Sequence, residues 1–296
     1  MRRAVLVYNP KSGRRLSQRR LPAIIEILGH GGFAVEPRPT SGPGDATRLA
    51  RAAVADGGVE VVFALGGDGT LREVAAGLLG SEVVLGPLAA GTTNVMALAL
   101  GLPREARAAA RVLPRCEPVV IDVGVAGGEP FLMCATGGLD AAVMARQDGG
   151  LKKLLGRGAM VAPVLSQWWR YGYPDLELLI DGQRRERVSY FAVCNIPYYA
   201  GTFRMAPEAD YRDGRLDLVL FHGRGRRRTL GLIRDLALGR HHRRADVEIL
   251  RVEAVELLAP SDACVQVDGD VPAVKPPLRI GLASERLWIL APPSTG

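Results

Sequence analysis

The stretch VVFALGGDGTLREVAAGLL, residues 61 to 79, decides the fold of this chain. Val61 to Leu65 form an apolar run rich in β-forming side chains, which is typical of a strand buried on both faces of a parallel sheet. After Thr70 the apolar residues recur at the spacing of one helical face, at Leu71, Val74, Ala75 and Leu78. The stretch therefore predicts a strand, a glycine-rich loop and a helix.

The loop itself predicts a phosphate site. Gly66, Gly67 and Gly69 surround Asp68, so the backbone can turn sharply and approach a ligand without obstruction by a Cβ atom. Backbone N–H groups and a helix N-terminus then point at one place, which suits phosphate oxygens, and Asp68 adds a carboxylate for a phosphate-bound Mg²⁺. The loop matches neither G-x-G-x-x-G nor the P-loop pattern. A plain tight turn between strand and helix remains the alternative.

Composition places the chain among ordinary globular proteins. It has 296 residues, of which 48% are hydrophobic and 23% charged, and a net charge of +7 that favours an anionic partner. Four widely spaced cysteines indicate reduced thiols in a cytoplasmic protein, and no signal peptide is evident. The uncharged run from Val83 to Pro103 has the length of a membrane span, but Pro87 and Gly91 to Asn94 interrupt it, so we expect a strand, a loop and a helix there.

The first part of the chain alternates between strands and helices. Predicted strands at Ala4 to Tyr8, Phe33 to Pro37, Val61 to Leu65 and Glu82 to Leu85 alternate with helices at Ser17 to Leu28, Ala46 to Ala55 and after Thr70. This pattern predicts a three-layer α/β domain with a parallel sheet. Ligands of such sheets lie at the carboxyl ends of the strands, where three polar loops are expected to converge: Asn9 to Gly13, Gly66 to Thr70 and Gly91 to Asn94.

Past Pro114 the pattern changes to short β-like runs. Val119 to Val125 and Phe131 to Ala135 are predicted to form a hairpin, and Asp175 to Ile180 and Arg187 to Asn195 flank the turn Asp181-Gly182. We therefore expect a second, mainly antiparallel domain, a sandwich or a strongly curved sheet. The predicted division is residues 1–116 and 117–283, with a last strand near 284–296 that returns to the first domain.

The motifs resemble those of the diacylglycerol kinase catalytic family, which includes bacterial diacylglycerol kinases, YegS-type lipid kinases, sphingosine kinases and ceramide kinases. The resemblance is carried in order by Asn9-Pro10-x-Ser12-Gly13, Gly66-Gly67-Asp68-Gly69-Thr70 with Glu73-Val74, Pro87-x-x-x-Gly91-Thr92-x-Asn94, Asn195, Gly201, Ala206-Pro207-x-Ala209-Asp210, Asp213-Gly214-x-Leu216 and Val267-Asp268-Gly269-Asp270. These motifs span residues 9 to 270, so the resemblance covers nearly the whole chain.

This resemblance implies transfer of the γ-phosphoryl group of ATP to a lipid hydroxyl. It assigns nucleotide contacts to Asn9, Thr40, Gly66, Gly67, Asp68, Gly69, Thr70 and Thr92. It also assigns a structural Mg²⁺ to Asp213, with backbone oxygens of Asp210 and Arg215. A carboxylate that takes the proton of the lipid hydroxyl is expected at Asp270, with Asp68 as a metal-linked positioning group and the second choice of base.

Three residues depart from the family pattern. Arg72 stands where many members have Asn, Val95 where many have Asp, and Asp270 where most have Glu. Asp is one methylene shorter than Glu, so a base at this position must lie closer to the hydroxyl or act through a water. Without the resemblance, Asp268-Gly269-Asp270 would be interpreted as a hairpin turn.

Two segments suggest an anionic membrane surface as the partner that presents the lipid. Leu151 to Tyr173 combines Lys152, Lys153 and Arg157 with Trp168 and Trp169, and Arg224 to Arg228 and His241 to Arg244 are basic clusters that flank a predicted helix, Thr229 to Leu238. A helix end packed in the core and solvated charge runs are the alternatives. We expect a cytoplasmic, peripherally membrane-associated protein without a transmembrane segment, and the sequence leaves a homodimer open.

Three functions stay open at this point. A lipid kinase is preferred over an NAD kinase-like enzyme, because the chain lacks the Asn-Glu dipeptide with which NAD kinases grip their substrate. A non-catalytic nucleotide- or lipid-binding protein is the third alternative. Nucleic acid is not expected as a partner, because the basic residues form no nucleic-acid-binding motif.

Overall fold

A computed structural model describes residues 1–10, 20–146 and 168–293. The chain divides into two compact units, one formed by Met1–Val123 with the C-terminal residues from Ala283, and one formed by Gly124–Leu282. The division lies a few residues beyond the boundary predicted at 116 and 117, because strand Glu117–Ile121 belongs to the sheet of the first unit.

The first unit contains a six-stranded sheet of order β2-β1-β3-β4-β19-β5. Its strands are β1 Arg2–Tyr8, β2 Phe33–Pro39, β3 Val61–Gly66, β4 Val84–Ala89, β5 Glu117–Ile121 and β19 Leu287–Ala291. Strands β2, β1, β3, β4 and β19 run parallel to their neighbours in this order, whereas β5 is antiparallel to β19. The last strand of the chain thus lies in the sheet of the first unit.

Helices cover this sheet. They are α1 Arg20–His30, α2 Asp45–Ala55, α3 Asp68–Leu78, α4 Val95–Ala99 and α5 Ala106–Val112, of which α1 packs with α5 and α2 with α3. All six residues of β3 are buried. Successive side chains of a strand point to opposite faces, so a fully buried strand requires cover on both faces of the sheet. The predicted three-layer α/β arrangement is therefore confirmed.

The second unit is built from two larger antiparallel sheets and short α6 Leu139–Ala145. One sheet has the order β10-β9-β16-β18-β6-β7 and the other β15-β14-β11-β8-β17. Their strands are β6 Gly124–Ala126, β7 Glu129–Phe131, β8 Cys134–Gly137, β9 Leu176–Ile180, β10 Gln183–Val188, β11 Tyr190–Cys194, β14 Leu216–Phe221, β15 Val247–Val252, β16 Ala254–Ala259, β17 Val265–Val267 and β18 Leu278–Leu282. Strands β12 Tyr198–Tyr199 and β13 Phe203–Arg204 form a separate pair.

One apolar core joins the two sheets face to face. Leu178, Leu257 and Ile280 from the first sheet share a buried cluster with Phe191 and Leu218 from the second. The far face of the second sheet carries another cluster that includes Met205, Ala206 and Ala209, against which Leu236 of helix α7, Arg226–Ala237, is packed. The predicted mainly antiparallel β-sandwich is confirmed.

Several predicted elements differ in detail. Residues 119 to 125 do not form one strand of a hairpin, because β5 pairs with β19 whereas β6 pairs with β7 and β18. The predicted run Arg187 to Asn195 is also split, between β10 and β11. The uncharged run after Val83 contains β4 and α4, as expected. Among the described residues, no helix has the length and apolar character of a membrane span.

Candidate active site

The predicted nucleotide residues lie at one edge of the first sheet. Strands β1, β2, β3 and β4 are neighbours and parallel, so their carboxyl ends meet there. Backbone hydrogen bonds continue past the strand ends: the amide of Asn9 donates to Leu65 (3.2 Å), that of Thr40 to Tyr8 (2.9 Å) and that of Ala90 to Gly66 (2.7 Å). Asn9, Thr40, Gly66 to Thr70 and the loop that carries Thr92 are thus held side by side, as the sequence predicts for a ligand site.

Two glycines let the loops after β3 and β4 approach each other. A Cβ atom on Gly91 would lie 2.6 Å from the Cα atom of Gly67, a distance that real Cβ contacts do not reach. Asn94 closes the second loop on itself, because its Oδ1 accepts from the Gly91 amide (2.8 Å) and its Nδ2 donates to the Gly91 carbonyl (3.1 Å). Asn94 itself is buried. These hydrogen bonds therefore constrain the shape of the loop.

Asp68 joins the two loops. Its Oδ2 accepts hydrogen bonds from the Thr93 hydroxyl (3.0 Å) and the Val95 amide (3.2 Å), and its Oδ1 accepts from the Met96 amide (3.3 Å). The carboxylate thus caps the first turn of α4 from across the site. A carboxylate has about four lone-pair sites, so these three contacts leave capacity for a cation.

The helix that follows this loop supplies backbone donors. Helix α3 begins at Asp68 with Gly67 as its extended N-cap. The first N–H groups of a helix have no carbonyl partner within that helix, and the helix dipole makes this end positive. Because the side chains here are small, phosphate oxygens can reach these amides directly.

In the second unit, Asp268 and Gly269 form a two-residue turn. Val267 and Asp270 exchange backbone hydrogen bonds across it (2.7 and 3.0 Å), and both turn residues have positive φ (50° and 89°). Asp268 is buried and its carboxylate accepts from three consecutive amides, those of Leu132 (2.7 Å), Met133 (3.0 Å) and Cys134 (2.9 Å). The segment therefore forms the hairpin turn, and Asp270, the predicted base, lies at its exposed end.

A polar network supports this turn from inside the unit, and sequence reasoning did not predict it. Gln266 accepts from the Gly269 amide (2.6 Å) and donates to Thr136 (2.9 Å), which donates to Asp140 (2.5 Å). Tyr199 also donates to Asp140 (2.6 Å), and burial raises the pKa of Asp140 above its ordinary value. The one available signal was Asp140 itself, a single carboxylate within an otherwise apolar and small-residue run.

The predicted metal segment offers oxygen ligands of the kind that Mg²⁺ prefers. Asp213 Oδ1 accepts from the Arg215 amide (3.0 Å), and Asp210 Oδ1 accepts from the Arg212 amide (3.1 Å). The guanidinium of Arg251 contacts Asp213 Oδ2, so a cation and this arginine would share one carboxylate. Within the described ranges, no cluster of three or more His, Cys, Asp or Glu side chains has the geometry of a metal site.

Some predicted residues lie outside the described part of the chain. These are Ser12 and Gly13 of the first motif, and residues 151 to 167 of the predicted lipid-side segment, including Lys152, Lys153 and Arg157.

We predict that the turn depends on the Asp268 carboxylate. Asp268→Ala would leave three backbone amides without their acceptor, at about 1 to 3 kcal/mol for each buried donor, and should lower the free energy of unfolding by about 3 kcal/mol or more. Urea denaturation measures this change. Asp262→Ala removes an exposed carboxylate from the same segment and should change stability by less than about 0.5 kcal/mol. Equal stability of the two variants would contradict the role of Asp268.

Comparisons with known proteins agree with these features. The family model described as the diacylglycerol kinase catalytic domain matches residues 3–126, and the model described as the YegS C-terminal NAD kinase beta sandwich-like domain matches residues 134–290. A "Probable lipid kinase YegS-like" from Chromohalobacter salexigens is 32% identical over 295 residues, which cover 97% of this chain and 92% of that protein. A "Diacylglycerol kinase" from Bacillus subtilis is 30% identical over 229 residues, 74% of each chain.

The fold is also shared with a solved structure. The crystal structure of a diacylglycerol kinase from Bacillus anthracis superposes with a TM-score of 0.74 at 20% identity, covering 99% of this chain and 97% of that one. The resemblance drawn from the motifs and the enzyme class, a lipid kinase, are confirmed. The chain belongs to the diacylglycerol kinase family of lipid kinases.

Proposed function

We propose that this protein transfers the γ-phosphoryl group of ATP to a hydroxyl of a membrane lipid such as diacylglycerol. The single observation that carries the ATP part is the start of α3, where Gly67 is an extended N-cap and the first amides, which have no carbonyl partner within the helix, can donate to phosphate oxygens. Phosphoryl transfer needs alignment and neutralisation of charge more than covalent chemistry. Rigid backbone donors at this edge meet that need.

In this proposal, Asn9, Thr40, Thr70 and Thr92 contact the nucleotide together with Gly66, Gly67, Asp68 and Gly69. Mg²⁺ bound with the nucleotide would supply positive charge that offsets the charge on the transferred group. Asp68 suits such an ion, because its three hydrogen bonds fix its position and leave lone-pair capacity. The same hydrogen bonds of Asp68 hold the loop before α4 in place.

Asp270 is the proposed general base. Its turn is fixed by the three hydrogen bonds of Asp268 and by Gln266, so the exposed carboxylate is carried on a rigid support. A positioned carboxylate can take the proton of a hydroxyl as the phosphoryl group arrives. The shorter side chain of Asp relative to Glu makes this rigidity more important, because the carboxylate has one rotatable bond fewer with which to adjust.

A lipid is preferred as the substrate over NAD. The relatives reported above are named for lipid or diacylglycerol kinase activity, and the Asn-Glu dipeptide of NAD kinases is absent from the sequence. We propose that the enzyme works in the cytoplasm, where ATP is available, and meets its lipid at the membrane surface without spanning it.

The phosphate loop can be tested with Gly67→Val. A Cβ atom at residue 67 lies 3.4 Å from the Cα atom of Gly91, so the branched methyl groups of Val would push the two loops apart at the proposed phosphate site. Turnover should then fall by about 10²-fold or more, and ATP affinity should fall with it. Isothermal titration calorimetry and a lipid phosphorylation assay measure the two effects. Gly29→Val is the control, since a Cβ atom at Gly29 meets no atom within 4 Å. Unchanged ATP affinity in Gly67→Val would contradict the proposed phosphate site.

The base can be tested with Asp270→Asn, which keeps the shape of the side chain and removes the proton acceptor. Turnover should drop by roughly 10²-fold or more while ATP affinity stays nearly unchanged. Asp270→Glu should remain active, because it restores the residue that most relatives carry. The exposed Asp262→Asn serves as a charge-matched control. Full turnover by Asp270→Asn would remove Asp270 from the mechanism.

The structural metal can be tested by melting curves. We propose that Asp213, with backbone oxygens of Asp210 and Arg215, holds Mg²⁺ in the segment from Ala206 to Leu216. A chelator should then lower the melting temperature of the wild type but not that of Asp213→Ala. If the chelator has no effect and Arg251→Ala lowers the melting temperature instead, the ion pair between Arg251 and Asp213 stabilises the segment without a metal.

A further inference from the structure

Helix α7 buries two polar side chains and exposes large apolar ones, although its Leu236 packs against the unit. A surface helix normally turns its apolar side chains to the core. In α7 the buried side chains include Thr229 and Asp235, whereas Leu230, Ile233 and the following Leu238 are 54%, 52% and 60% exposed. Leu230 and Ile233, which are three residues apart on the helix, and Leu238 just after it are thus all exposed. We call these three residues, together with Trp169, the apolar face.

Ion pairs of Asp235 hold helix α7 in this orientation. Asp235 accepts from Arg244 (2.9 Å), Arg234 (3.0 Å) and Arg240 (3.1 Å), and the Arg244 hydrogen bond is the main reason why the pKa of Asp235 falls to about 2. Arg244 also binds both carboxylate oxygens of Asp246 (2.8 and 2.9 Å). Rotation of α7 to bury Leu230 and Ile233 would pull Asp235 away from Arg244, which lies outside the helix. The apolar face therefore stays exposed.

This network corrects the sequence-based interpretation of the second basic cluster. His241 is fully buried, with Nε2 2.8 Å from the Met205 carbonyl, and Arg244 is committed to Asp235 and Asp246. His241 and Arg244 thus stabilise the unit instead of facing a membrane. The prediction of a membrane contact was wrong for these two residues, because a run of basic residues does not show which side chains have partners inside the unit.

Further aromatic side chains lie beside Trp169 of the apolar face. Trp169 is 65% exposed, and the guanidinium of Arg226 lies over its ring at 4.1 Å. Trp168, Trp169, Tyr171 and Tyr173 line one concavity together with Leu230 and Arg224 to Arg227. Trp and Tyr side chains are enriched at the level of lipid head groups, where a ring can contact acyl chains and its polar end can remain hydrated.

Arginines surround the same surface. Arg224, Arg226, Arg227, Arg228, Arg234 and Arg240 are all exposed. The nearby acidic groups already have arginine partners: Asp175 contacts Arg224, Asp235 has three, and Asp246 contacts Arg228 and Arg244. Arginines thus outnumber these aspartates, and the surface has an excess of positive charge, to which the exposed Arg226 and Arg227 beside the apolar face contribute.

This combination distinguishes between the partners that might cover the face. A second copy of the chain, bound symmetrically, would bring the two arginine groups against each other at a like-charge cost. An anionic bilayer meets both requirements, because head-group phosphates pair with the arginines and the acyl boundary takes up the aliphatic side chains.

We propose that the apolar face, Leu230, Ile233, Leu238 and Trp169, docks on an anionic lipid bilayer with Arg226 and Arg227 against the head groups. Docking through this face would present lipid to the second unit, and that consequence rests on the proposed lipid kinase function. The docking itself does not require ATP or catalysis.

The test measures co-sedimentation of the full chain with vesicles made of an equal mixture of phosphatidylcholine and phosphatidylglycerol, or of phosphatidylcholine alone. The wild type should bind the mixed vesicles more tightly, and less so as salt rises, since about 1 M salt shortens the screening length from roughly 8 Å to roughly 3 Å. The double variant Leu230→Ser with Ile233→Ser should bind the mixed vesicles about tenfold more weakly or worse. Its melting temperature should match that of the wild type, because both side chains are exposed.

A charge-matched pair of variants separates local from general electrostatics. Arg226→Gln with Arg227→Gln should reduce binding to the mixed vesicles, whereas Arg184→Gln with Arg187→Gln, two exposed arginines of the β10 segment, should leave binding near the wild-type value. Equal losses from both pairs would overturn the assignment of this face, as would unchanged binding by the double serine variant. Loss of self-association in the double serine variant with vesicle binding intact would show that a second copy covers the face, and would also overturn the proposal.

A kinase assay on a short-chain, water-soluble lipid keeps this proposal distinct from the proposed function. The double serine variant should phosphorylate that substrate at the wild-type rate and lose activity only on vesicles. A wild type that binds vesicles but phosphorylates neither substrate would contradict the lipid kinase function and leave the docking proposal standing.

Discussion

The loops to which we assign the proposed chemistry are held by one kind of interaction, a carboxylate that accepts hydrogen bonds from consecutive backbone amides. In the first unit Asp68 binds the amides of Val95 and Met96, and in the second Asp268 binds those of Leu132, Met133 and Cys134. Hydrogen bonds to a charged acceptor contribute more than neutral ones, about 1.5 to 3 kcal/mol each. Each contact joins segments that are distant in the chain, and so turns a glycine-rich loop or a two-residue turn into a rigid support.

The strand, loop and helix around Gly67 could be predicted because their signals are local. An apolar run, clustered glycines and helical spacing all occur within residues 61 to 79. Details failed where pairing partners decide the outcome. Strand β4 continues through Pro87, since beyond Leu85 only β3 pairs with it and a missing N–H there costs no ladder bond on the other edge. Similarly, residues 119 to 125 were predicted as one strand because nothing local shows that β5 and β6 belong to different sheets.

The supporting side chains could not be predicted for a related reason. Asp68 contacts residues 25 to 28 positions away, and Gln266 contacts Thr136 across 130 positions. Contacts at such separations leave no periodic pattern in a single sequence. The same limit applies to charge. Arg244 and Arg227 both lie in basic runs of the sequence, yet Arg244 binds the carboxylates of Asp235 and Asp246, whereas Arg227 is exposed. Sequence thus located the candidate site, whereas burial and pairing had to come from the structure.

In the proposed reaction, recognition of the nucleotide and recognition of the lipid depend on different chemical groups of the chain. The proposed phosphate site uses backbone amides of two loops that approach closely only because Gly67 and Gly91 have no side chains, and a glycine is directly visible in a sequence. Recognition of a lipid and its bilayer uses side chains whose effect depends on orientation, as helix α7 illustrates by burying Asp235 and exposing Leu230 and Ile233. An average hydrophobicity over α7 would not show which of its side chains are buried and which are exposed. For this family member, the proposal for the nucleotide therefore starts from motifs, while the proposal for the lipid has to be argued from the three-dimensional placement of each side chain.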